Sequence, residues 1–507
     1  MPLSISNKHL RIILWCLHLS ILFSAVYFYP VSWDEGWTFC SARHLLEDHH
    51  FGCKYNGNFT TTRLITSLST VLMAYVGFVL FGVSYISGRL IFATQAILLV
   101  LVLSRLARRF WGEQVELIVL AYLLFISSDP RVHPMVLGAQ AWGEVPALLY
   151  FILGTLLIPA GFSGKMVGTI FQFGTSISLL ILSACTKVQF RPFIAAALLS
   201  SSLILVFNRG TRPKARIFSA LGLITWIVPT RLPHLPIPES QSIDLTGVVD
   251  MGMEVVRRLA IVTDLEIRFV VFSWLITTQE IILPLAIISL FIKSPDGKSP
   301  WRLEYHRILP LLTFSVVTLG WFLTLSINFP RYAAPGLICA AIPAALAAFI
   351  FFSAPSSNTS LSYTLPVQTT KKLRSYALWV CIFVALCNLA GLIKSIFWNS
   401  SYNHDLYKTA AFVNLHYQKG DVIETYDSNL YHLLNVPYVY PADNYHLLSK
   451  SERATERERW GQHSARYIIL GDWSRHFEIA NNLADEYSER IRYGEFVIFE
   501  KAGSRSD

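Results

Sequence analysis

The chain has 507 residues, of which 53% are hydrophobic and only 15% charged, with a mean hydropathy of +0.45. A soluble globular chain carries about 25% charged residues, so this deficit excludes an ordinary soluble protein and points to lipid. The formal net charge of +9 implies no nucleic-acid partner, because cytoplasmic loops of membrane proteins are rich in Lys and Arg and supply such an excess unaided.

The N-terminus "MPLSISNKHLR" and the apolar run after it look like a signal peptide. The run continues to about Tyr29 without an A-x-A-like site, so it reads as a retained first helix. Further apolar runs fall at roughly 64–82, 86–104, 115–128, 145–160, 167–184, 190–207, 215–230, 269–292, 308–327, 333–352 and 376–396. A run of about 18 or more residues reads as a spanning helix, and the set makes an α-helical polytopic membrane protein of about 11–13 transmembrane helices.

Lys and Arg concentrate in "SRLARRFWGEQ" (104–114), "NRGTRPKAR" (208–216), "KSPDGKSPWRLEYHR" (293–307) and "TTKKLR" (369–374). With the N-terminus inside, twelve crossings place the first three of these loops outside, against the positive-inside bias. Dropping one crossing between residues 30 and 104 puts all four inside. The Ser- and Thr-dotted segment 64–82 is the candidate to drop, lying along the outer face or dipping in and returning; loss of the short span 115–128 is the alternative. Eleven crossings leave the C-terminus outside.

After about Asn399 the chain turns polar. "DVIETYDS", "ARYIILGD" and "GEFVIFEK" are strand-like, while "SKSERATERERWGQ" and "RHFEIANNLADEYSERI" look helical. That alternation predicts a small α/β domain. The chain thus divides into a transmembrane domain, 1–398, with its first outer loop at 30–63, and an extracytoplasmic domain, 399–507. The stretch 353–370 is a loop by composition.

On this topology the outer loops are sparse in charge, so the charge they carry is informative. The first holds Asp34 and Glu35, the second Glu144, the third Lys187 and the fifth Arg331, followed by Tyr332. Ionisable groups near membrane depth are costly and usually functional, and Lys187 and Arg331 run against the positive-inside trend. Two such cations suit a lipid phosphate, Arg as a fork and Lys as a point charge. A carboxylate beside them can take a proton from an acceptor hydroxyl. Each residue also has a plainer reading. The acid pair starts a helix, Glu144 favours a helix dipole, Lys187 snorkels, and Arg331 with Tyr332 anchors at the interface. The coincidence of four on one face favours a site. Arg63 and Arg89 read more simply as residues flanking apolar segments.

Five cysteines lie in apolar runs, whereas Cys40 and Cys53 share the first polar loop, where an oxidising compartment would permit a disulfide. The spacing "HLLEDHHFGC" around His44, His49 and His50 matches no metal-site pattern. No P-loop, G-x-S-x-G or dinucleotide fingerprint is present.

"VSWDEGWTFCSARHLLEDHHFGCKYNG", "LFGVSYISGRL" and "LARRFWG", followed by "LGAQAWGEVPALLYFILG", "LLILSACTKVQFRPFIAA" and "NFPRYAAPGLICAAIP", resemble in order the multi-spanning C-type glycosyltransferases. That superfamily includes protein O-mannosyltransferases and the lipid A aminoarabinose transferases. The C-terminal segments resemble the outer domain of bacterial members. The resemblance implies transfer of a sugar from a polyprenyl or dolichyl phosphate donor to a lipid, polysaccharide or protein acceptor, outside a bacterial plasma (inner) membrane. It implies Asp34 at the reacting centre with Glu35 beside it, Glu144 as the second acid, and Lys187 and Arg331 on the donor phosphate. Where several members carry Lys-Pro-Pro or His-Pro-Pro this chain has "TTTRL", so either Arg63 substitutes or the donor is held differently. No cofactor is required; a divalent cation between Asp34 and Glu144 is the less favoured variant. A transporter or flippase of lipid-linked sugars is the rival reading; it should show related halves or interrupted helices, which the sequence does not clearly display.

Overall fold

The computed structural model describes residues 6–60, 67–158, 166–187, 189–206, 212–231, 262, 264–277, 305–326, 329–353, 367–440, 465–476 and 487–502. Helices follow the apolar runs in order: α1 (Asn7–Phe28), α2 (Trp33–Glu47), α3 (Leu68–Phe81), α4 (Tyr85–Trp111), α5 (Glu113–Leu124), α6 (Pro134–Gly138), α7 (Glu144–Leu156), α8 (Met166–Thr186), α9 (Phe190–Val206) and α10 (Arg212–Arg231). They continue with α11 (Leu265–Thr277), α12 (Tyr305–Thr324), α13 (Ala334–Cys339), α14 (Ala341–Ser353), α15 (Val367–Phe397) and α16 (Tyr402–His416). Among the described residues α1, α4, the part of α8 from Gly168 and the stretch beginning at Ser375 are long and apolar enough to cross a membrane. The chain is an integral membrane protein.

The first outer loop folds into α2 and the antiparallel hairpin of β1 (Cys53–Tyr55) and β2 (Asn58–Thr60). Two expectations need correction. The run 333–352 is not one helix. It breaks at Ala340, because Pro343 lacks a backbone N–H and its ring opposes the carbonyl four residues earlier, leaving α13 and α14 as separate pieces. Residues 487–491, read as helical, belong to strand β6 (Tyr487–Tyr493). The segment 64–82 contains α3, whose 14 residues span about 21 Å at 1.5 Å per residue. That is less than a hydrocarbon core of about 30 Å. However, α5 is shorter still at 12 residues, so length does not single out which run fails to cross.

Two cores form. The larger packs α1, α4–α10 and α12–α14 through buried Leu, Val, Ile, Ala and Phe. The second joins α2 and α3 to α16 and the C-terminal sheet, so the first outer loop and the C-terminal segment share one apolar interior. The sheet adds β3 (Ile423–Thr425), β4 (Tyr438–Val439), β5 (Tyr467–Leu470) and β7 (Phe496–Lys501) to β6, in the order β4-β3-β5-β7-β6. β3 runs parallel to β4 and β5, and β7 is antiparallel to both β5 and β6. Of the segments read as helical there, 449–462 lies outside the described residues, as does 477–486.

The docking of α2 onto this domain is close. A Cβ added to Gly36 would sit 2.2 Å from the carbonyl carbon of Ser428 and 2.3 Å from the Asn429 nitrogen. Only glycine lets the two backbones approach so near. The Trp33 indole donates to the Tyr426 carbonyl at 3.0 Å, the Ser428 hydroxyl to the Trp33 carbonyl at 2.5 Å, and the Arg43 guanidinium to the carbonyls of His432 and Leu434.

Candidate active site

Ser32 begins α2 by capping it. Its hydroxyl accepts from the Glu35 N–H while the Glu35 carboxylate accepts from the Ser32 N–H at 2.9 Å. This reciprocal capping box satisfies two donors at the helix start and fixes the first turn that carries Asp34. Glu35 is fully buried and saturated. It receives the Arg89 guanidinium in a fork, 2.9 Å to Oε1 and 2.7 Å to Oε2, and the Ala141 N–H at 3.1 Å. The Glu35 carboxylate, expected beside Asp34, is engaged in holding the loop together. Arg89, read as a flanking residue, is also wholly buried. It donates to the carbonyls of Ala25, Val26, Tyr29 and Pro30, tying the end of α1 and the start of α2 to α4.

Asp34, on the same turn, points to a different partner. Its carboxylate pairs with the Arg331 guanidinium. Arg331 lies in the short 3₁₀ turn Pro330–Tyr332, where Pro330 presets the first dihedral. Its guanidinium sits 4.9 Å from the centre of the Trp142 ring, with the rings of Tyr332 and Phe329 beyond, a stacking suited to arginine. Burial disfavours its charge, but the neighbouring Asp34, Tyr332 and Glu144 outweigh that, so it holds its proton more firmly than a free arginine.

The second acid arrives through a glycine. Gly143 adopts φ +80° as the cap of α7, a conformation costly for other residues, and a Cβ there would press on Thr70 and the Thr186 carbonyl. Glu144 follows as the first residue of the helix and is 2% exposed. The loop before it is pinned to α2 by Trp142, whose indole donates to the Ser32 hydroxyl at 2.6 Å, and by the Ala141 N–H. Lys187 leaves the end of α8, tethered to α3 by the Ser69–Thr186 hydroxyl contact at 3.0 Å. The Lys187 ammonium lies 2.7 Å from Glu144 Oε1 and donates to the Trp142 carbonyl at 3.2 Å.

Asp34, Glu144, Lys187 and Arg331 thus converge from four segments distant in sequence. Beside them a cavity opens between the start of α9, α12 and the 3₁₀ turn. Glu144, Arg331 and Tyr332 form its polar end, and Phe190, Phe193, Trp321 and Pro335 its apolar wall. Gln189 and Thr318 complete the lining, and the Gln189 amide reaches the Tyr332 hydroxyl at 3.5 Å. Arg63 lies outside the described residues.

The sequence reading missed Trp142, Gln189 and a second pair beside the site. Asp129 and Arg131 pair at 2.7 Å, with the Trp274 indole on Asp129 at 3.2 Å. Arg131 is close enough to feel the charge of Arg331. One signal did exist for Arg89: a charge inside the apolar run "ISGRLIFATQ" demands an opposite partner.

The structure draws no bridge between Cys40 and Cys53. They are buried in one cluster in which Cys40 Sγ meets the Tyr438 hydroxyl at 3.2 Å and Cys53 Sγ meets Ser41 Oγ at 3.7 Å. His44 pairs with Asp48 at 2.8 Å, and Lys54 with the same carboxylate at 2.9 Å. Among the described residues no group of three His, Cys, Asp or Glu side chains is arranged to hold a metal.

No protein-family model matches the chain, and no curated protein sequence does. Solved structures do. ArnT from Cupriavidus metallidurans in the apo state aligns with a TM-score of 0.61 at 14% identity, covering 97% of this chain and 99% of its own. The same protein bound to undecaprenyl phosphate aligns at 0.57 and 13%, covering 97% and 98%. The Archaeoglobus fulgidus oligosaccharyltransferase in complex with zinc and sulfate aligns at 0.51 and 10%, covering 93% of this chain and 71% of its own. These neighbours belong to the C-type glycosyltransferase superfamily. The chain has their fold: a bundle of apolar helices with a small C-terminal sheet domain.

Proposed function

We propose that the protein transfers a sugar from a polyprenyl-phosphate or dolichyl-phosphate donor to a hydroxyl-bearing acceptor at the membrane surface where α2 and the C-terminal domain lie. The observation that carries this reading is the pairing of Asp34 with Arg331 and of Lys187 with Glu144, with Arg331 and Glu144 both lining one apolar-walled cavity. The chain's likeness in fold to a structure containing undecaprenyl phosphate supports a lipid-phosphate ligand.

In the proposed reaction the donor's hydrocarbon chain stays in the bilayer and its phosphate meets Lys187 and Arg331, with Tyr332 alongside. The acceptor oxygen attacks the anomeric carbon as that carbon's bond to the phosphate oxygen breaks. Asp34 takes the hydroxyl proton, and the two cations stabilise the charge gathering on the leaving phosphate. The anomeric configuration inverts because attack and departure occur on opposite faces. Glu144 holds the Lys187 ammonium in place. No metal is invoked. The acceptor is a lipid, polysaccharide or protein, and the site faces the extracytoplasmic side of a bacterial inner membrane.

The test compares lipid-linked sugars and surface glycans by mass spectrometry in cells with the native protein and with Asp34→Asn. The expected outcome is a loss of about 10²–10⁴-fold in transfer, with the lipid-sugar accumulating and one glycan residue missing. Unchanged transfer by Asp34→Asn removes Asp34 from the mechanism. Lipid-sugar that no longer crosses the bilayer would instead identify a flippase.

A further inference from the structure

Both cations of the site are already neutralised within the protein. Arg331 is paired with Asp34, and Lys187 with Glu144 at 2.7 Å. The neighbouring Arg131 is likewise paired with Asp129 at 2.7 Å. A phosphate approaching Arg331 or Lys187 therefore meets a cation already bound to a carboxylate.

The two pairs differ in how readily they can loosen. Glu144 is 2% exposed, and Lys187 is further held by the Trp142 carbonyl. Separating them would strand a buried carboxylate, which is strongly unfavourable. Asp34 is 27% exposed and Arg331 20%, so each remains solvated when they part. Arg331 also lines the cavity. Its guanidinium keeps a resting plane over Trp142 and carries donors enough to re-aim at a phosphate.

Resting on the donor reading above, we infer that Asp34 and the donor phosphate compete for Arg331. While Arg331 holds Asp34 it masks the carboxylate. Arrival of the lipid phosphate draws the guanidinium away and exposes the carboxylate to the acceptor hydroxyl. Donor binding thus precedes, and licenses, proton acceptance by Asp34. Coupling of this kind is reciprocal: whatever Arg331 gives to Asp34 it withholds from phosphate, so removing the Asp34 charge should strengthen phosphate binding even as it abolishes transfer.

The experiment measures undecaprenyl phosphate binding to the full chain in lipid nanodiscs. Five proteins are compared: the native protein, Asp34→Asn, Asp34→Glu, Arg331→Met and the double variant of Asp34→Asn with Arg331→Met. Asp34→Asn should bind about three- to tenfold more tightly than native, as expected when a competing state is removed. Asp34→Glu, which keeps the pair, should bind like native. The gain should vanish in the double variant relative to Arg331→Met, because it passes through Arg331. A gain that persists without Arg331 means only general charge repulsion and overturns the exchange. So does binding by Asp34→Asn that is equal to or weaker than native. Should Asp34→Asn not fold, Asp34→Ser takes its place with the same expectation. If no protein in the set binds undecaprenyl phosphate, both the exchange and the donor reading fall. If native binds and only the gain is missing, the donor reading stands alone.

Discussion

Glu35 and Arg89 form a forked ion pair that is wholly buried, and through it the end of α1, the start of α2, the loop before α7 and helix α4 are held as one unit. Asp34 owes its position to this neighbour, whose carboxylate turns to a different partner.

Arg89→Met therefore leaves a buried carboxylate without its cation. Breaking one side of a buried pair costs about 3–5 kcal/mol, so the thermal midpoint of the purified protein should fall sharply. Glu35→Leu with Arg89→Met should recover only part of that loss, because the N–H groups of Ser32 and Ala141 and the carbonyls of residues 25–30 lose their partners as well. Thermal unfolding in detergent of the single and double variants checks both statements.

Gly36→Ala drives a methyl group into the Ser428–Asn429 backbone. The helix bearing Asp34 and the C-terminal domain must then separate. Limited proteolysis should release the C-terminal segment faster than in the native protein, and transfer should fall with it. Gly174→Ala is the control. That position lies inside α8 with nothing within 4 Å of the added Cβ, and alanine there should be neutral or stabilising by about 0.5–1 kcal/mol.

Arg331→Lys keeps the charge but loses the fork and the stacking on Trp142. Losing a hydrogen bond to a charged group costs about 1.5–3 kcal/mol, which corresponds to roughly a 10- to 100-fold rise in KM for the lipid-phosphate donor. Steady-state kinetics over a donor series provides the check, and a native KM in this variant would place the donor phosphate elsewhere.

Glu424, on β3, has its carboxyl pushed up to about 8 by burial alone. Between the ordinary glutamate value near 4.3 and about 8 the folded protein retains a proton that the unfolded chain has released. Stability therefore falls as pH rises through that window and levels off above it. The full change is on the order of a few kcal/mol. Comparing thermal midpoints of native protein and Glu424→Gln at pH 5 and pH 8 tests this. The native midpoint should drop with pH, with the contribution from Glu424 absent in the variant.

Much of the bundle was legible in the sequence, since hydrophobic runs are a local property and each candidate span contains a helix in its described part. The C-terminal strands at 423–425, 467–470 and 496–501 were legible for the same reason. Errors arose where a local pattern had two solutions. "YSERI" has the composition of a helix, yet it pairs with β7 because an edge of the sheet is available there. "WDEGW" offered two adjacent acids with nothing local to separate them. The helical turn points their side chains about 100° apart, which follows from 3.6 residues per turn, and so sends Glu35 to Arg89 and Asp34 to Arg331.

By itself the sequence determined the membrane setting, the order of helices and the small set of ionisable residues worth examining, because each follows from transfer energies and periodicity within a few consecutive residues. Tertiary structure alone decided the partners: Asp34 with Arg331 across 297 positions, Glu144 with Lys187, and α2 with the C-terminal domain. Charge pairing and backbone approach depend on distances of a few ångströms, and only the packing of the whole bundle brings segments so far apart along the chain within that range.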